Sequence, residues 1–196
     1  ITPHRRAPRN PSKPTSNTST PTALFSFDAN LDVLNSIATS PTKNLYLTGY
    51  IYKLDFWEAS GNCYHVVYRM EYAKNEPPTV LIGKVDTDKA IGTDNKSFCV
   101  PTSLDVDDKG RLYVSDFGNN RIQVFDTEGK FLKAIAIQNP NLVKIHQKTG
   151  EIFVFSLMTL EEGFHRTSQK EEVEATMSHF GSFDNPTLKY QCPIPL

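Results

Sequence analysis

"VSDFGNNRIQVFD", residues 114–126, decides the fold. Its two ends are strand-like. "RLYVSD" (111–116) is rich in β-branched and aromatic residues, and "RIQVFD" (121–126) alternates Ile122 and Val124 against Gln123 and Phe125. Between them, Gly118, Asn119 and Asn120 are residue types that tolerate the positive φ of a tight reversal. The stretch therefore reads as a β-hairpin.

Working outward, "SLDVDD" (103–108) is a strand that runs into the turn "DDKG". "TEGK" (127–130) is another turn, and "FLKAIAI" (131–137) another strand. Four strands joined by short turns make one antiparallel meander. The pattern recurs. "TGEIFVFS" (149–156) repeats "KGRLYVSD" (109–116) at a spacing of about 40 residues, and "LVKIHQ" (142–147) stands before it as "SLDVDD" does before the other. A third copy starts at "NLYLTG" (44–49), with "YIYKLDFW" (50–57) and "YHVVYRMEY" (64–72) as its next strands. A four-stranded unit repeated at this period is the sequence mark of a radial β-propeller.

Residues 98–137 resemble the NHL repeat family. The resemblance rests on Pro101, Asp107, Gly110, Tyr113, Val114, Asp116, Asn120, Arg121, Ile122, Val124, Phe125 and Gly129. It implies an all-β chain of NHL-type blades, a partial or fragmentary six-bladed propeller. It also gives Asp107, Gly110, Asp116, Asn119, Asn120 and Arg121 a structural role in the turns. Asp116-Phe117-Gly118 is also the metal-binding tripeptide of protein kinases, but the sequence has no Gly-rich phosphate loop, strand lysine or His-Arg-Asp loop to complete that chemistry. Asp116 is instead expected to accept hydrogen bonds from turn amides and from Arg121.

Three regions follow. Residues 1–23 are rich in Pro, Ser and Thr, carry Arg5, Arg6, Arg9 and Lys13 with no acid, and read as a disordered tail or linker. Residues 24–160 hold the blades. Residues 161–196 are expected to be a helical and extended appendage, or part of a further blade. Within them "TSQKEEVEATMSHF" (167–180) reads as a helix: Ser168 and Glu171 form a capping-box pair, and Val173, Met177 and Phe180 share one stripe. Ile1 in place of Met is read as a processed or truncated N-terminus. A ring closes with four to eight blades, so this chain is expected to belong to a longer polypeptide or assembly.

The formal charge of −1 gives no electrostatic case for nucleic acid, and no apolar run is long enough to span a bilayer. "DVDDKG" offers Asp105 and Asp107 as calcium ligands, but strands flank it where an EF-hand needs helices. His146 is a candidate zinc ligand without His-Glu-x-x-His spacing. No cofactor is expected; calcium or zinc at Asp105, Asp107 and His146 is the alternative. Two of Cys63, Cys99 and Cys192 are candidates for a disulfide, and Asn17 and Asn95 head glycosylation sequons. There is no Gly-x-Ser-x-Gly elbow.

The favoured function is a non-enzymatic interaction or scaffold module, part of a larger extracellular or surface protein, with protein partners or self-association through blade edges. "FCVPTSLDV" (98–106) also resembles a blade of the peptidylglycine amidating lyase propeller, which implies a metal-dependent enzyme as the alternative. A structural subunit of a filament or coat is a further one.

Overall fold

A computed structural model of the chain describes residues 34–51, 63–74, 76–86, 91–157 and 175–195. The tail over 1–23, the strand expected over 52–57 and the first half of the expected helix lie outside them. The described residues form three four-stranded antiparallel sheets, each built from strands consecutive in the sequence. The first comprises β1 (Leu34–Thr39), β2 (Asn44–Ile51), β3 (Cys63–Glu71) and β4 (Thr79–Asp86). The second comprises β5 (Pro101–Val106), β6 (Leu112–Asp116), β7 (Arg121–Phe125) and β8 (Phe131–Ala136). The third comprises β9 (Pro140–Ile145), β10 (Ile152–Leu157), β11 (Ala175–Phe180) and β12 (Leu188–Ile194).

The first strands of the sheets lie side by side: β1 packs on β5, and β5 on β9. Side chains stitch this inner row together. Ser36 Oγ donates to Leu104 O at 3.3 Å and accepts from Leu104 N at 3.2 Å. Ser103 Oγ accepts from Val143 N at 3.3 Å, and Asp105 Oδ2 accepts from Ile145 N at 2.8 Å. Three blades thus stand around a shared inner edge, as in a propeller.

Two apolar layers lie between the blades, and the period-two geometry of a strand explains both. Leu112 and Val114 of β6, with Phe125 of β7, face the first blade and join Tyr46, Val67, Ile82 and Phe98. Tyr113, Ile122 and Val124 point the other way and join Val143, Ile152, Val154 and Phe180. The middle blade is buried on both faces, so every residue of β6 is buried.

The expectation of a helix over 167–180 needs correcting in its described part, 175–180. Ala175–Phe180 is strand β11, paired with β10 from Ile152↔Phe180 to Leu157↔Ala175. Met177 and Phe180 do not share a stripe: Phe180 packs between blades, while Met177 sits on the opposite sheet face, across from Phe155. Helical spacing of three apolar residues is weak evidence beside a ladder whose next strand, β12, completes the third sheet. Residues 175–194 are therefore blade, with no helix among them.

The hairpin over 114–126 also differs in detail. Gly118 is not at positive φ; Asn120 alone takes the left-handed conformation there, at φ 53°. Its amide donates to Phe117 O at 3.1 Å, closing a short 3-10 turn.

Candidate functional site

The residues that looked most like chemistry in the sequence converge on two buried carboxylates. Asp116 ends β6 and is fully buried. Its Oδ1 accepts from Cys99 N at 2.7 Å. Its Oδ2 accepts from Asn119 Nδ2 at 2.9 Å, Arg121 Nε at 2.7 Å and Gln123 Nε2 at 3.0 Å. A buried charge is tolerable only when paired and hydrogen-bonded, and this one meets four donors. Arg121 continues outward to Asp94 O at 2.7 Å, and Gln123 to Ser97 O at 2.9 Å. The cluster therefore clamps the connection between the first two blades onto the middle one.

Asp107 does the same work at the opposite end of the blade. Its Oδ1 accepts from Lys109 N and Arg111 N, both at 2.9 Å. Its Oδ2 accepts from Arg111 Nε at 2.6 Å and from the Tyr113 hydroxyl at 3.1 Å. Burial, and then the Asp107 charge beside it, push the Tyr113 phenol far above its ordinary pKa, so it stays a donor. Gly110 closes this turn at φ 79°, a conformation L side chains adopt rarely. The Arg111 guanidinium lies 3.9 Å over the Phe183 ring and so reaches the third blade.

His65 and Cys99 flank the first cluster. His65 Nδ1 accepts from Val100 N at 3.0 Å, which makes Nδ1 the unprotonated ring nitrogen. Burial lowers its pKa, against a smaller opposing pull from Asp116. Burial and the Asp116 charge raise the pKa of Cys99, so its thiol is a poor nucleophile at neutral pH.

The candidate metal ligands are not gathered. Asp105 Oδ2 is held by Ile145 N, with Lys144 Nζ at 3.8 Å. Asp107 is committed to its turn and Arg111. His146 Nδ1 lies 2.9 Å from the Thr149 hydroxyl in a separate turn. Among the described residues no three His, Cys, Asp or Glu side chains come together. Cys99 and Cys192 carry free thiols, and the side chain of Cys63 lies outside the described residues. Asn95 is exposed, while Ser97 of its sequon is buried and donates to Asp94 Oδ1 at 2.6 Å. Asn17 lies outside the described residues.

Comparison with known families bears on the middle blade. Residues 98–125 match the NHL repeat. The match runs from Phe98 to Phe125, so it contains Asp107, Asp116 and all of their direct hydrogen-bond donors, while Asp94, Ser97 and Phe183 lie outside it. No curated protein matches the sequence. Among solved structures, hydrazine synthase of Kuenenia stuttgartiensis is similar at 12% identity and a TM-score of 0.49, over 86% of this chain and 52% of that one. Regucalcin of Agrobacterium tumefaciens is similar at 16% identity and a TM-score of 0.39, over 61% of this chain and 36% of that one. The chain thus matches about half or less of the length of these structures.

The register shows a set of positions, at one end of the sheet, where the NHL-matching blade and the third blade differ. Asp116 pairs with Arg121, and Val114 with Gln123, in β6 and β7. The corresponding pairs in β10 and β11 are Ser156 with Thr176, and Val154 with Ser178. A pocket of about 360 Å³ lies there, lined by Asn139, Ser156, Thr176, Ser178 and Gln191 among others. A second cavity, of about 510 Å³, opens beside Asp105, Gln147 and Ile37 at the other end of the inner row. Aligning the blades residue by residue would have exposed the first set in the sequence, had the strand over 175–180 been recognised.

Proposed function

We propose that this chain is a non-enzymatic interaction module of NHL-propeller type, which associates with a second copy of itself through the outward face of its third blade. One observation carries the reading: the third blade turns an apolar cross-strand row away from the middle blade. Leu142, Phe155, Met177 and Cys192 are direct neighbours across β9, β10, β11 and β12. Beside them runs the row Lys144, Phe153, His179 and Tyr190. Leu142 is 43% exposed and Tyr190 59%. The first blade is different: Ile37 and Val80 are 55% and 45% exposed at the ends of their row, but Leu47 between them is buried. Faces of this composition join the blades within the molecule, and exposed ones invite the same partner.

The structural use of the signature residues supports the non-enzymatic part. Asp107 and Asp116 each spend both oxygens on four donors, and freeing either for a metal or a proton transfer would break the turn that it holds. An extracellular or surface setting belongs to the proposal and rests on the Pro/Ser/Thr-rich segment and the sequons at Asn17 and Asn95.

Sedimentation equilibrium over a wide concentration range tests it. The intact chain should associate, and Leu142→Glu with Phe155→Glu should leave it monomeric. A monomer at every concentration overturns the self-association. Stoichiometric zinc or calcium retained through purification, with turnover of a peptidyl-hydroxyglycine, would establish the amidating-lyase alternative instead.

A further inference from the structure

The pocket between the second and third blades is where two substitutions of a pattern coincide. In the middle blade, Asp116, Arg121 and Gln123 fill the end of the sheet, and the long connection from β4 to β5 closes over them. Ser97 O takes the Gln123 amide, Cys99 N caps Asp116, and Phe98 is fully buried. In the third blade the same three positions hold Ser156, Thr176 and Ser178. The connection from β8 to β9 is only residues 137–139. Smaller side chains and a short connection leave open the space that an ion pair and a phenylalanine occupy next door.

What lines that space is chemically uniform. Its polar groups are Gln138, Asn139, Ser156, Thr176, Ser178 and Gln191, and among the described residues no acidic, basic or histidine side chain lines it. Phe180 and Leu188 supply an apolar wall. Gln191 Nε2 donates to Ser178 Oγ at 3.0 Å, which fixes both groups. Ser156 is 8% exposed, and its hydroxyl has no hydrogen-bond partner among the described residues. Leaving such a group buried and unmet is unfavourable, and a ligand that meets it recovers the loss.

We propose that this pocket binds a neutral polyhydroxylated ligand, a saccharide unit. Hydroxyls and carboxamides both donate and accept, which is what adjacent sugar hydroxyls require. The apolar wall suits the C–H face of a pyranose. The lack of charge among the described lining residues disfavours phosphates, carboxylates and ammonium groups, whose desolvation none of these side chains would offset. The volume lies at the lower end of the range typical of small-molecule sites, about 300–1,000 Å³.

The test is an amide-resolved NMR titration of the full chain with the methyl glycosides of glucose, galactose, mannose and N-acetylglucosamine. Glucuronate, glucose 6-phosphate and a blocked Gly-Ser dipeptide serve as competitors of other chemistry. At least one neutral glycoside should shift the amides of Asn139, Ser156, Ser178 and Gln191. Gln191→Ala, an exposed position whose loss leaves the fold intact, should weaken that binding about tenfold. Ser156→Leu, which fills the pocket, should abolish it. The proposal is overturned if no neutral glycoside shifts these amides at tens of millimolar. It is equally overturned if the charged sugars or the dipeptide bind as well as the glycosides, or if Gln191→Ala binds unchanged.

Discussion

Arg121 Nε meets Asp116 Oδ2 at 2.7 Å with the carboxylate fully buried and the arginine side chain 15% exposed. This pair joins the turn after β6 to the connection between the first two blades, because Arg121 also reaches Asp94 O and Asp116 also holds Cys99 N.

Removing one partner leaves the other charge buried and unpaired. Asp116→Ala should destabilise the chain by about 3–5 kcal/mol. Arg121→Ala should cost somewhat less, because Asn119, Gln123 and the Cys99 amide still serve the carboxylate. The double variant should cost less than the two singles together, since they share one interaction. Urea unfolding of the four proteins measures all three terms.

His65 makes stability depend on pH. Its folded pKa is lowered, chiefly by burial, so the unfolded chain takes up a proton first as pH falls. Stability from this site is fully present above the ordinary value of 6.5 and is lost as pH drops towards the lower folded pKa. Protonation at Nδ1 also ends the bond from Val100 N. Unfolding free energy should decline between pH 7 and pH 5, and His65→Gln should flatten that slope. An equal slope in the variant would assign the effect elsewhere.

Gly83 lies inside β4 at φ 90°, and a Cβ built on it would stand 2.2 Å from the main-chain oxygen of His65. Backbone cannot swing aside as a side chain can. Gly83→Ala should therefore cost at least about 2 kcal/mol, from strain and displacement of β3 together. A thermal melt close to that of the parent would show that the two strands are not so close.

The β5–β8 meander was legible because every local signal agreed: alternation in "RIQVF", β-rich "LYVSD", and Gly or Asn at the reversals. The facing of Ile122 and Val124 against Gln123 and Phe125 follows from the same period and is seen in the packing. Strands β1 and β4 gave no such agreement. "LNSIAT" is polar at positions that a hub strand uses for hydrogen bonds, as Ser36 does with Leu104. "TVLIGKVD" is interrupted by Gly83. In β11 the buried positions are Ala175, Ser178 and Phe180, and a buried serine hides the alternation while Val173 and Met177 suggest a helix. The motif pointed to the contact of Asp116 with Arg121, but its other donors are the Cys99 amide and the Asn119 and Gln123 side chains where turn amides were expected. The pocket at Ser156 was not legible, because it arises from what the third blade lacks relative to the middle one.

Hydrogen exchange separates strand from helix over 175–180. With β11 between β10 and β12, the amides of Ala175–Phe180 should be protected together with those of Ile152–Leu157 and should lose protection with them. Exchange of 175–180 as a separate, earlier unit would contradict this pairing.

The account stands on three sheets sharing one inner edge, and nuclear Overhauser contacts across that edge test it most directly. The Leu104 amide should show a contact to the Ser36 β-protons, and the Val143 amide to the Ser103 β-protons. Finding the ladders within each sheet but neither of these contacts would mean three independent sheets, and would contradict the propeller arrangement.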